Sequence, residues 1–192
     1  MAVDDHSNIV MIGSGTGGPN TLKTILSHMP ELDASVIIVQ HMSKELNRGL
    51  TNRLNDLTEM RVKLAEEEPL SHGTIYVAPT GKQLKVENNS YIYLKECREK
   101  KFACPSIDVA MKTLTVKESS SLVGVILSGI GSDGKEGMKH IHDLGGTTIA
   151  QNVSTAIISH MPENAIDTGG VDFVLKPIAI RAKLIELFKK TG

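Results

Sequence analysis

A doubly wound α/β fold, with a mostly parallel sheet, helices on both faces and an antiparallel edge hairpin, is what this sequence predicts. Three observations predict it. Apolar, β-branched runs bounded by Gly, Pro or Asn recur at residues 9–12, 36–39, 122–127, 147–150 and 171–175, the signature of buried parallel strands. Helix-like stretches at 19–28, 48–57, 106–116, 135–144 and 178–189 separate them, which is the alternation of an α/β sheet. A chain of 192 residues with 40% apolar content is long enough to bury one substantial core, so one domain is expected.

In chain order, residues 1–8 are polar and read as a disordered tail, and residues 9–192 as the domain. The alternation breaks once. Short strands are expected at 74–77, 83–86 and 91–94, joined by the turn formers Pro79-Thr80-Gly81 and Asn88-Asn89-Ser90, so an antiparallel hairpin should extend one sheet edge. The charge cluster at 95–101 reads as an exposed connection. No repeat, low-complexity segment or long linker interrupts the domain, and nothing in it resembles a receiver domain.

Composition excludes several classes. With 21 Lys and Arg against 22 Asp and Glu, net charge −1, the chain lacks the basic footprint of nucleic-acid binding. No apolar run approaches the roughly 20 residues of a membrane helix and the start is not a signal peptide, so a cytoplasmic location without membrane insertion is expected. Cys97 and Cys104 are too few for a disulfide framework or a zinc site and read as free thiols.

The first strand runs into Ile12-Gly13-Ser14-Gly15-Thr16-Gly17-Gly18-Pro19, a glycine-rich turn that opens a helix and lets another group approach the backbone. Gly13, Gly15 and Gly18 formally satisfy G-x-G-x-x-G, so a dinucleotide is one alternative ligand. Such a site wants an acid at the end of the second strand; that strand ends Val39-Gln40-His41-Met42, with none. Simple helix–strand packing would also explain the glycines, but two further loops on the same sheet edge favour a site.

His41 follows the second strand directly, where its imidazole can act as a base. The remaining histidines do not suggest a site: His28, His140 and His142 fall on predicted helices, His72 and His160 in turns, and His6 in the tail. His140 and His142 diverge on their helix and make a poor metal pair, so no metal site is expected. Asp133 sits in a second glycine-rich turn, Ser128-Gly129-Ile130-Gly131-Ser132-Asp133-Gly134; alone it would read as a turn former. Together, a hydroxyl, His41 and Asp133 at three strand ends can form the nucleophile, base and orienter of acyl transfer, with glycine-turn amides on the oxyanion.

Seven blocks then carry a resemblance over almost the whole length. They are Ile12-Gly13 with Thr16-Gly17-Gly18-Pro19; Gln40-His41-Met42; Tyr76-Val77-Ala78-Pro79; Pro105-Ser106-Ile107-Asp108; Gly124-Val125-Ile126-Leu127 with Gly129-Ile130-Gly131-Ser132-Asp133-Gly134; Ala150-Gln151-Asn152; and Met161-Pro162-Glu163-Asn164-Ala165-Ile166. In this order they resemble the catalytic domain of the CheB family of chemotaxis protein-glutamate methylesterases. The resemblance implies hydrolysis of glutamate methyl esters, often with deamidation of glutamines, on the cytoplasmic helices of chemotaxis receptors, without a cofactor. It further implies His41 as general base, Asp133 as its orienter and the Thr16 and Ile130 amides as oxyanion donors. Longer members often carry a receiver domain ahead of this one.

The family's turn normally reads Ser-Thr-Gly-Gly with that serine as nucleophile, whereas this chain reads Gly15-Thr16-Gly17-Gly18. Glycine offers no hydroxyl, so the covalent route should be lost. Ser14 is the neighbouring hydroxyl, but Cα atoms about 3.8 Å apart aim their side chains differently, and a nucleophile must lie within roughly 2.6–3.2 Å of its base. Ser14 is thus a poor substitute. The other expectations are an inert receptor-binding module and, more remotely, dinucleotide binding. Retained His41 and Asp133 favour the hydrolase. The segment 42–53 should border the cleft, with Arg48 and Arg53 as candidate contacts to acidic receptor surfaces and solvated helix charges as the default reading.

Overall fold

A computed structural model describes residues 7–97, 103–117 and 120–190. Its strands are β1 (Ile9–Ser14), β2 (Ser35–Gln40), β3 (Arg61–Leu64), β4 (Glu68–Pro69), β5 (Thr74–Val77), β6 (Lys82–Glu87), β7 (Tyr91–Glu96), β8 (Leu122–Ile126), β9 (Thr147–Gln151) and β10 (Phe173–Leu175). Its helices are α1 (Gly18–Leu26), α2 (Lys44–Asn55), α3 (Ile107–Met111), α4 (Lys135–Asp143), α5 (His160–Asp167) and α6 (Pro177–Phe188).

Seven parallel strands form the main sheet in the order β10-β9-β8-β1-β2-β5-β3. Residues of β1, β2 and β8 are buried without exception, because alternate side chains enter one of two cores. On one face Val10, Ile12 and Ile38 meet Leu22, Ile25, Leu54 and Leu184 from α1, α2 and α6. On the other, Met11, Ile37 and Val39 meet Ile107, Met111, Met138 and Ile141 from α3 and α4. Burying each such side chain contributes about 1.5–3 kcal/mol, so β1, β2 and β8 together anchor the centre of the sheet.

Strand order reverses around β1, with β2, β5 and β3 on one side and β8, β9 and β10 on the other. Open α/β sheets bind ligands outside the carboxyl ends of the strands at such a switch point. Register fixes what meets there: Ser14 pairs with Gln40 and Gly13 with Ile126, so three chain segments leave the sheet together.

Several expectations are corrected or refined. Thr74–Val77 joins the parallel sheet between β2 and β3, while β6 and β7 form the hairpin, which pairs with β4 as a separate three-stranded sheet. The predicted helix at 106–116 stops at Met111, where Thr113 Oγ1 accepts from the Val86 amide and turns the chain along β6. His28 lies beyond α1 with φ 55°, its amide donating to Leu57, and His160 opens α5 rather than lying in a turn.

Cys97 and Cys104 are not free thiols but a disulfide with Cα atoms 6.4 Å apart. Gly81 brings them together by accepting from the Cys97 amide and donating to the Cys104 carbonyl, both at 3.3 Å. Residues 1–6 of the expected tail lie outside the described residues; Ser7 and Asn8 bond to Ser120, Ser121 and Asp33. Of the cluster at 95–101, Lys95 and Glu96 belong to β7 and 98–101 lie outside the described residues. Among the described residues no helix is long and apolar enough to cross a membrane.

Candidate active site

Three turns converge at the carboxyl edge of β1, β2 and β8. The first leaves β1 after Ser14 and enters α1 through Gly17, whose φ of 85° and closeness to Ser128 and Ile157 leave no room for a side chain. The second is His41, whose amide donates to the Ser14 carbonyl at 2.8 Å. The third is the Gly129–Gly134 loop, held to the first by the Gly15 amide donating to the Ser128 carbonyl at 2.9 Å. Ser128 Oγ also reaches the carbonyls of Thr16 (2.7 Å) and Ile158 (3.1 Å), tying the loop after β9 to the same point.

Sequence reasoning placed His41 and Asp133 together, and they meet: His41 Nε2 lies 2.9 Å from Asp133 Oδ2, with the two side chains about one-fifth exposed. An ionised carboxylate only accepts, so Nε2 carries the proton in the neutral ring and Nδ1 holds the lone pair. Asp133 accepts three more hydrogen bonds, from Ser106 Oγ (3.0 Å) and the amides of Ile107 (2.8 Å) and Asp108 (2.9 Å). Burial pushes its carboxyl up, but these donors outweigh it and hold it below the ordinary carboxylate value. Asp133 is therefore a fixed anion aimed at His41.

Adjacent Asp108 shifts the other way. Burial raises its carboxyl, the Gly137 amide at 2.7 Å opposes that, and the charge of Asp133 adds to the rise.

The expected oxyanion donors are on the same edge. Among the described residues, the amides of Thr16 and Ile130 donate to no protein acceptor. Both residues are exposed, Ile130 to 61%. Position 15 lies between them. A methyl group on Gly15 would stand 3.7 Å from the Ile130 amide, 3.4 Å from Met161 Sδ and 3.1 Å from Gly129 Cα, the last a snug fit. Gly15 is not in the left-handed region, so its backbone is one that a serine can adopt.

Ser14 points elsewhere. It is fully buried, and its hydroxyl donates to Gln40 Oε1. Gln40 Nε2 in turn donates to the carbonyls of Gly15 and His41 at 2.9 Å each, so this side chain braces the first turn against His41.

Gln40, Ser106 and Ser128 were missed as site residues. The first two stood in recognisable blocks of sequence, but the bonds that tie them into the site, Gln40 to Gly15, Ser106 to Asp133 and Ser128 to Thr16, span 25 or more residues and leave no local pattern. Among the described residues no cluster of three or more His, Cys, Asp or Glu could hold a metal ion.

Comparison with known proteins now bears on this geometry. The family model described as CheB methylesterase matches residues 10–184. The chain belongs to the CheB methylesterase family. It is 38% identical to a protein-glutamate methylesterase/protein-glutamine glutaminase of Methanococcus maripaludis over 97% of this chain and 53% of that relative. It is 40% identical to the protein of the same name from Archaeoglobus fulgidus, over 88% of this chain and 50% of that relative. The chain thus spans about half the length of these curated CheB relatives. The crystal structure of the Thermotoga maritima CheB methylesterase catalytic domain superposes with a TM-score of 0.86 at 34% identity, covering 94% of this chain and 98% of that one. The mostly parallel sheet with its small antiparallel companion is the CheB catalytic-domain fold.

Proposed function

We propose that residues 9–192 form a single protein-glutamate methylesterase domain acting on cytoplasmic helices of chemotaxis receptors, with glutamine deamidation as a second activity. The observation that carries this reading is the His41–Asp133 pair, its carboxylate saturated by four donors, beside two unengaged amides. In this mechanism a nucleophile at position 15 gives its proton to His41 Nδ1 and attacks the ester carbonyl. The Thr16 and Ile130 amides stabilise the oxyanion, methoxide leaves with the proton from His41, and water then releases glutamate by the reverse proton path. No cofactor enters.

Gly15 lacks the hydroxyl that the first step requires, so we infer that the covalent route is closed here. Ser14 does not replace it: its hydroxyl is buried and committed to Gln40, on the sheet side of the turn. A second reading, favoured by Gly15 itself, is an inert module that still binds receptor helices. Dinucleotide binding is disfavoured, because Gln40, which closes β2 where such sites place an acid, is buried and braces the turn. A receiver domain in a longer parent would be a further partner.

Methanol release from methylated receptor, measured for this chain beside its Gly15→Ser variant, tests the proposal. The variant should exceed the parent by on the order of 10⁴–10⁶ in kcat. Equal activity in both would mean another nucleophile. Silence in both would favour the binding module.

A further inference from the structure

A groove of about 220 Å³ opens between α1 and α2, immediately beside the site. Pro19, Met42, Leu46 and Leu50 line it, and Lys23 and Arg53 stand on its rim. Pro19 follows the last glycine of the first turn and Met42 follows His41, so the two segments that build the site continue directly into the groove walls. Leu46 is 58% exposed although it faces this apolar surface. An exposed leucine beside an open apolar groove needs a partner to gain its burial energy.

Charge indicates the partner. The helices α1 and α2 carry four basic side chains, Lys23, Lys44, Arg48 and Arg53, and one acidic, Glu45, a local net charge of +3 in a chain whose total is −1. Among the described residues none of the four pairs with a carboxylate within 4.0 Å. Glu45 stays an anion, its carboxyl held below the ordinary value by hydrogen bonds at its own backbone and Ser43, so the net charge of +3 already includes it. Elsewhere helix lysines take acids, Lys139 of α4 with Asp143 and Lys183 of α6 with Glu186.

We propose that this groove is the docking site for the polypeptide that carries the ester: an apolar side chain seats between Leu46 and Leu50 while acidic neighbours on the same segment meet Lys23 and Arg53. The inference rests on the esterase reading and extends it, separating a site that cuts from a site that holds. Acidic residues flanking the ester would meet these cations, and cations set against an apolar anchor give affinity and register together.

The experiment uses the whole chain, Gly15 included, so that binding is read without turnover. Affinity is measured for an enzymatically methylated cytoplasmic fragment of a chemotaxis receptor. The double reversal Lys23→Glu with Arg53→Glu should weaken binding by about tenfold or more and flatten its salt dependence. Leu46→Gln should weaken it without changing the salt dependence. Lys85→Glu, on the small sheet, serves as the control for net charge and should leave affinity unchanged. Unchanged affinity in the groove variants, or an equal loss in the Lys85 control, overturns the proposal. Failure of the parent chain to bind, together with no methanol from Gly15→Ser, overturns the esterase reading and the groove with it.

Discussion

The two glycine-rich turns of the site are joined by a hydrogen bond from Gly15 to Ser128, yet they differ in completeness. The Gly129–Gly134 turn presents Asp133 with all four of its acceptor sites filled, one by His41 and three by the segment around Ser106. The Gly13–Gly18 turn keeps its brace through Gln40, its left-handed Gly17 and a free Thr16 amide, but ends in no side chain at position 15. The site can therefore retain every long-range contact that positions His41 and Asp133 while carrying no side chain at position 15. The frame does not depend on the nucleophile: Ser14, Gln40 and Ser128 hold the turn by bonds that do not involve a side chain at 15.

If the frame is intact, restoring the hydroxyl makes catalysis depend on Asp133. In a Gly15→Ser background, Asp133→Asn should lower kcat by about 10⁴, since asparagine cannot hold His41 in the tautomer with its lone pair on Nδ1. Methanol release checks this. A loss below tenfold would mean that His41 works without its orienter.

The next largest effect separates glycines that are packed from those that are only turned. A methyl group on Gly129 would collide with Met161 Sδ and stand 3.1 Å from the Gly15 amide, so Gly129→Ala should destabilise by about 1–3 kcal/mol and push the two turns apart. Gly131 has φ 87° but open space around it, and its alanine variant should cost about 1 kcal/mol in strain. Chemical denaturation of both variants decides. Equal losses would mean that backbone conformation, not the contact between turns, governs the site.

Ser14 sharpens the same point. Ser14→Ala leaves buried Gln40 Oε1 without its donor, at a cost of about 1–3 kcal/mol in stability, yet kcat in the Gly15→Ser background should hold. Thermal unfolding and methanol release measured together separate a brace from a nucleophile; a collapse of kcat without loss of stability would restore Ser14 as a catalytic candidate.

How much of this was legible in the sequence follows from how each element is stabilised. The strands 9–12, 36–39 and 122–127 are buried on both faces, so they are continuous apolar runs that announce themselves. β3 is an edge strand in which only Val62 is buried; Arg61 and Lys63 hide it. α5 carries Pro162 in its first turn, where proline is tolerated although it reads as a breaker. His41 stood out because it directly follows β2, and Asp133 because it sits in the glycine-rich turn after β8, both at the switch point. The roles of Ser106, Gln40 and Ser128 arise from contacts between distant segments, as does the Cys97–Cys104 bond, which depends on Gly81 folding back between them.

The smallest effect is in acid, where two neighbouring carboxylates should pull in opposite directions. Asp133 titrates below its ordinary value of about 3.9 in the fold, so its contribution is complete above that value and is lost as pH falls through its folded pKa. Asp108 titrates above its ordinary value, so the folded state takes up its proton first, and its burial penalty, present at neutral pH, is relieved as pH falls through the raised pKa. Asp133→Asn should therefore be more destabilising at pH 7 than at pH 3. Asp108→Asn keeps an acceptor for the Gly137 amide, removes the charge facing Asp133, and should become relatively more stable as pH rises from 3 to 7. Melting temperatures of the parent and both variants across that range measure the two slopes. Slopes of the same sign would show that the pair titrates as one unit, with Asp108 part of the anion that faces His41 rather than a separate cap on α4.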